Sequence, residues 1–114
     1  MKEKYFIITI DTEGDNLWDW KIGKEIHTEN VLYLNRFQEL CDKYGLKPVW
    51  LSNYEMLQDE RYVKFIKDVV NAGHGECGMH LHAWNTPPGY ELPHDDTSCP
   101  AYLVEYPVDI MEKK

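Results

Sequence analysis

Two short clusters in this chain carry side chains that can do chemistry: Asp11-Thr12-Glu13 and His80-Leu81-His82. In each, the titratable residues stand at i and i+2, a spacing that in extended backbone turns both toward one side. Two imidazoles with one or two carboxylates form a donor set suited to Zn²⁺, Fe²⁺, Co²⁺ or Ni²⁺. A catalytic centre of that kind keeps one position for water and lowers its pKa, giving a nucleophile at neutral pH. The carboxylate not used as a ligand is then available as general base. Each cluster alone also has an ordinary reading. Residues 11–16 have the composition of a polar turn, and a His-x-His at a strand end is common on protein surfaces. Their occurrence together, each after a strand-like run, favours a site.

The runs that position them are short. Residues 5–10, Tyr-Phe-Ile-Ile-Thr-Ile, are β-branched and aromatic without interruption before Thr9, as expected of a strand buried on both faces of a parallel sheet. Asp11 to Asn16 then gives a dense turn signal, and a loop carrying Trp18 and Trp20 follows. Thr28 is suited to cap a helix whose apolar stripe reads Val31, Leu34, Phe37, Leu40, Cys41 and Tyr44, ended by Gly45. A second strand is expected at residues 48–51 and a second helical region from Ser52-Asn53. That region is clearest at Tyr62, Phe65, Ile66, Val69 and Val70 and closes at Gly73. A third strand, residues 76–81, leads into His82.

Residues 85–100 hold four of the six prolines and read as a loop, and a stretch of that length is often functional. Pro107 opens a closing helix from Val108. Strand, helix, strand, helix, strand is the order of a parallel α/β fold with right-handed crossovers. Sites in such folds form where strand C-termini meet along one edge. Both clusters are placed there, as are the loop aromatics Trp18, Trp20, Trp84 and Tyr90, which suit core packing or stacking on sugar rings equally well. His27, His74 and His94 lack comparable support: His74, between two glycines, reads as a cap or surface residue, and His94-Asp95-Asp96 as a solvated loop.

With 114 residues the chain makes one modest domain. Its formal net charge of −8 argues against nucleic acid and anionic membranes as partners. No run approaches the about 20 apolar residues of a membrane span. No signal peptide is recognisable, and three irregularly spaced cysteines, Cys41, Cys77 and Cys99, do not make a disulfide framework. Two buried thiols and one in a loop, in a cytoplasmic protein, is the expectation.

The stretches Ile8-Thr9-Ile10-Asp11-Thr12-Glu13-Gly14-Asp15-Asn16 and Glu76-Cys77-Gly78-Met79-His80-Leu81-His82-Ala83-Trp84-Asn85-Thr86-Pro87-Pro88 resemble polysaccharide deacetylases of the NodB-homology group. This group is carbohydrate esterase family 4-like, and the closest likeness is to its WalW-like branch, associated with surface-polysaccharide gene clusters. The resemblance covers nearly the whole chain. It implies that residues 1–114 are one partial domain, the N-terminal portion of a distorted (β/α) barrel of about seven strands. The activity it implies is metal-dependent removal of N-acetyl or O-acetyl groups from carbohydrate substrates.

Carried over residue by residue, the resemblance makes Asp11 the catalytic base and Glu13 and His80 metal ligands, with Asp15 as the alternative to Glu13, while His82, by its direction on the strand, is the substitute for the second histidine. Trp18, Trp84 and Asn85 would contact substrate. The ion is expected to be zinc, with cobalt, nickel or iron as alternatives. The chain departs from the usual pattern in two places. Thr12 stands where the family has the second of two adjacent aspartates, and Trp84 stands where it has the second of two histidines four apart. The later motifs, which supply an Arg and an Asp that tune the base and a His acting as general acid, would follow residue 114. Half a barrel leaves sheet edges unpaired, so a homodimer through those edges is a further expectation. The alternative to an enzyme is a sugar-binding or scaffold module without catalysis.

Overall fold

The computed structural model describes residues 2–19, 25–92 and 102–114. Trp20, His94, Asp95, Asp96 and Cys99 lie outside them. Three strands, β1 (Thr9–Thr12), β2 (Val49–Ser52) and β3 (Glu76–Met79), form one parallel sheet in the order β1-β2-β3. The crossovers are α1 (Val31–Lys43) between the first two strands, and α2 (Tyr54–Leu57) with α3 (Glu60–Asn71) between the last two. A short helix α4 (Val108–Met111) follows Pro107. The α/β class with a parallel sheet is as expected. Among the described residues no helix is long and apolar enough to cross a membrane.

Register decides which side chains share a face. Ile10 pairs with Trp50 and Thr12 with Ser52, whereas Asp11 pairs with Leu51 and Leu51 with Gly78. The core gathers Trp50, Val31, Met56, Tyr62, Phe65, Ile66 and Val69, with Ile10 and Leu34 against it. Both crossover helices therefore cover the Ile10–Trp50 face, as two crossovers of the same hand in succession require. The opposite face carries Thr9 and Asp11, the half-buried Val49 and Leu51, and Gly78. A side-chain carbon on Gly78 would lie 2.6 Å from Leu51 Cδ2, so glycine lets Leu51 lie across β3.

Local signals explain the helix ends. Asp59 caps α3 by accepting from the Arg61 amide at 2.8 Å, and Asn53 caps α2 by accepting from the Tyr54 amide at 3.0 Å. Gly45 and Gly73 take φ of +66° and +70°, the left-handed conformation that ends α1 and α3.

Four expectations are corrected. Residues 5–7 are not strand: Tyr5, Phe6 and Ile7 are 74–82% exposed. The ladder begins only where Val49 N–H donates to Ile8 C=O, because the short partner β2 offers nothing farther back. The buried stripe of α1 is Val31, Gln38 and Cys41, with Phe37, Leu40 and Tyr44 exposed. Gln38 turns inward because its Oε1 accepts from Trp50 Nε1 at 2.9 Å while its amide donates to Asp42 and the His74 carbonyl. Thr28 does not cap α1; its hydroxyl donates to Asp59 at 2.6 Å. Cys77 is exposed, because β3 is an edge strand, while Cys41 is buried.

Candidate metal centre

The ladder continues one step beyond the strand ends. Asn53 N–H donates to Thr12 C=O at 3.0 Å and His80 N–H to Ser52 C=O at 2.9 Å. Glu13, Asn53 and His80 therefore share a rung, two residues above Asp11, Leu51 and Gly78. Glu13 and His80 stand two strand spacings apart, about 9.5 Å, a gap that a glutamate and a histidine reaching toward each other close from either side.

Their side chains meet. Glu13 Oε2 lies 2.9 Å from His82 Nε2 and 3.4 Å from His80 Nε2, and the two imidazole nitrogens are 3.2 Å apart. Among the described residues this is the one group of three such donors that could hold a metal ion. The spacing fits one. A triangle with those three edges has a circumradius of about 1.8 Å, just inside the 2.0–2.1 Å of a metal–nitrogen bond, so one ion can reach all three donors. Three protein ligands is also the number found in catalytic zinc sites. Glu13 is 17% exposed and the histidines only slightly more, so the donors are partly desolvated yet reachable.

Asp11 occupies a different position. Its Oδ1 is 3.7 Å from His80 Nδ1, the ring nitrogen turned away from Glu13, and its side chain is 61% exposed. Thr12, between the two acids, is buried on the helix face, and its hydroxyl donates to Ile10 C=O at 3.0 Å. Asp15 is engaged elsewhere: its two oxygens accept the amides of Glu29 (2.7 Å) and Asn30 (3.0 Å), just before α1, where Thr28 is expected to cap.

Aromatic rings border the centre. Trp18, 82% exposed, meets the His82 ring edge-on at 6.3 Å between centroids, and Trp84 lies tilted against it at 5.5 Å. Asn85 is half-buried and its amide donates to Glu55 Oε2 at 2.8 Å. Tyr90 packs instead against Tyr106 at 6.1 Å. His74 is an exposed surface residue whose Nδ1 lies 3.2 Å from Asp42 Oδ2.

Several residues that shape the site went unnoticed in the sequence. Asn30 donates to Glu13 C=O at 2.7 Å, and Asn16 fastens the returning loop through His27 N–H and Glu25 C=O. Glu55, buried below both loops, accepts from Gly14 N–H at 2.7 Å. Only the dense turn composition of residues 11–16 hinted at this; nothing near Glu55 did. No protein-family model, curated protein or solved structure matches this chain.

Proposed function

We propose that this chain carries the metal-binding part of a hydrolase that removes acetyl groups from the sugars of a polysaccharide. The observation behind the reading is the meeting of Glu13, His80 and His82, donors from opposite edges of the sheet, at ligand spacing beside two tryptophans. In this reading the three strands are the first of the barrel that the resemblance implies. Glu13 Oε2, His80 Nε2 and His82 Nε2 would hold a divalent ion, zinc first by donor type. When bound, such an ion acidifies water and polarises a carbonyl oxygen. Asp11, open to solvent beside His80, takes the proton of the attacking water at its carboxylate. The broad faces of Trp18 and Trp84 bind a sugar ring and hold its acetamide over the donors. In this reading an acid from outside residues 1–114 would protonate the leaving amine.

One observation favours the second reading, a sugar-binding module without catalysis: Asp11 stands on the far side of the His80 ring from Glu13. Acetate release from N-acetylated oligosaccharides separates the two, assayed with zinc-loaded protein in this chain and in any longer natural chain containing it. Deacetylation is expected, falling about 100-fold or more in Asp11→Asn at unchanged metal content. Metal binding without acetate release from either chain would leave only the binding module.

A further inference from the structure

The middle strand β2 supplies no donor to the centre, yet the helix after it does something specific there. Glu55, in α2, is 8% exposed. Its Oε1 accepts from Gly14 N–H at 2.7 Å and from Asn53 Nδ2 at 3.2 Å, and its Oε2 accepts from Asn85 Nδ2 at 2.8 Å. Gly14 directly follows the ligand Glu13, and Asn85 lies in the turn that closes over His82, where the amides of Asn85 and Thr86 both reach the His82 carbonyl. Among the described residues no cation pairs with this carboxylate.

A buried carboxylate is costly unless donors surround it. Here they do, and two of the three come from the two loops that carry metal ligands. Glycine at position 14 is required by the returning loop, since a side-chain carbon there would run into Ile26 Cγ2 and lie 2.9 Å from His27 C=O, while Glu55 Cγ would sit at an ordinary contact distance of 3.5 Å.

We propose that Glu55 is a positioning residue that clamps the Glu13 and His82 loops to each other, setting the donor triangle before any ion arrives. The inference rests on the metal-centre reading and extends it to a residue that touches neither ion nor substrate. Outer-shell partners of this kind change metal affinity by about 10–100-fold when removed.

The test pairs two readouts on the whole chain, Co²⁺ titration followed by visible absorption and hydrogen exchange of the Gly14 amide. Glu55→Ala is expected to weaken Co²⁺ binding about 10–100-fold and to speed Gly14 exchange. Glu55→Gln should recover most of both. Its Oε1 still accepts from Gly14 and Asn53, and the Asn85 amide, turned over, accepts from its Nε2. Asn85→Ala, which cuts one arm only, should move Co²⁺ affinity in the same direction and serves if Glu55→Ala does not fold. Gly45→Ala, strained at φ +66° in the turn that enters β2 at the opposite end of the strands, should leave Co²⁺ affinity unchanged. Unchanged Gly14 exchange and Co²⁺ affinity in both Glu55→Ala and Asn85→Ala would overturn the clamp. A wild type that binds no Co²⁺ would overturn the metal centre instead, and Gly14 exchange alone would then decide the clamp.

Discussion

Removing His82 is the sharpest way to ask whether the donor triangle is a metal centre. His82 Nε2 makes the shortest edge, 2.9 Å to Glu13, and without it two donors remain 3.4 Å apart. Apparent binding free energies of about 10–16 kcal/mol for four-ligand structural zinc sites assign about 3 kcal/mol to each ligand. That is about 100-fold in dissociation constant, so His82→Ala should weaken a divalent ion by two orders of magnitude. The protein contains its own reporter, because Trp18 and Trp84 lie 6.3 and 5.5 Å from the His82 ring and a Co²⁺ ion at the triangle quenches them. Titrating tryptophan fluorescence with Co²⁺ reads the affinity directly, and Zn²⁺ competition reads the other ion. His74→Ala is the control, an exposed histidine paired with Asp42 and outside the triangle. If His82→Ala and His74→Ala titrate alike, or if Co²⁺ leaves the wild-type fluorescence unchanged, the triangle is only a hydrogen-bonded cluster and the reasoning fails.

Two further changes probe the scaffold. Asp59 is held well below the usual carboxylate range, chiefly by the Arg61 side chain, with the Thr28 hydroxyl and the Arg61 amide adding to it and burial opposing. A depressed carboxyl contributes stability above its unfolded value, about 3.9, and loses it as pH falls through the folded value. Asp59→Asn should therefore cost about 1 kcal/mol at pH 7, a figure discounted because Arg61 is half exposed. The gap to wild type in urea unfolding should close as pH drops below about 4; a gap constant with pH would contradict the assignment. Gly14→Ala drives a methyl into Ile26 Cγ2 and to 2.9 Å from His27 C=O, and should cost about 1–3 kcal/mol while weakening Co²⁺ quenching through displacement of Glu13. Wild-type stability and quenching in that variant would show that the loop has room to spare.

Element order, the glycine helix ends and both chemical clusters were legible in the sequence because each rests on local rules: period, turn composition and spacing. What was not legible depends on a partner. Residues 5–7 have strand composition, but a strand needs a neighbour, and β2 is only four residues long. Gln38 breaks the apolar stripe of α1 and looks like a surface residue until Trp50 Nε1 arrives to be satisfied. Thr28 is a good cap by type, but its hydroxyl goes to Asp59, and Asp15, thirteen residues back, takes the amides of Glu29 and Asn30. Glu55 shows the limit best. A glutamate in the first turn after an Asn cap is what any short surface helix would carry, and its partners Gly14 and Asn85 are 41 and 30 residues away.

Under the proposed reading, strand parity ties together the two departures from the pattern of the group that the sequence resembles. Thr12 pairs with Ser52 on the covered face, is 3% exposed and lies beside the Ser52–Tyr62 hydroxyl pair. An aspartate there would bring a charge into the helix-facing core, where no cation waits among the described residues. A ligand on this strand must therefore stand at an odd position, and after Asp11 the next is Glu13, whose extra methylene helps it reach across the rung to His80. The same constraint acts on β3. His80 stands above Gly78 on the open face, so the donor that joins it with least turning of the chain is two residues on, at His82, leaving position 84 for a ring tilted against that imidazole. The same parity thus puts Glu13 and His80 on the uncovered face, where with His82 they meet over a middle strand that supplies no donor, above Glu55 in the helix that follows it.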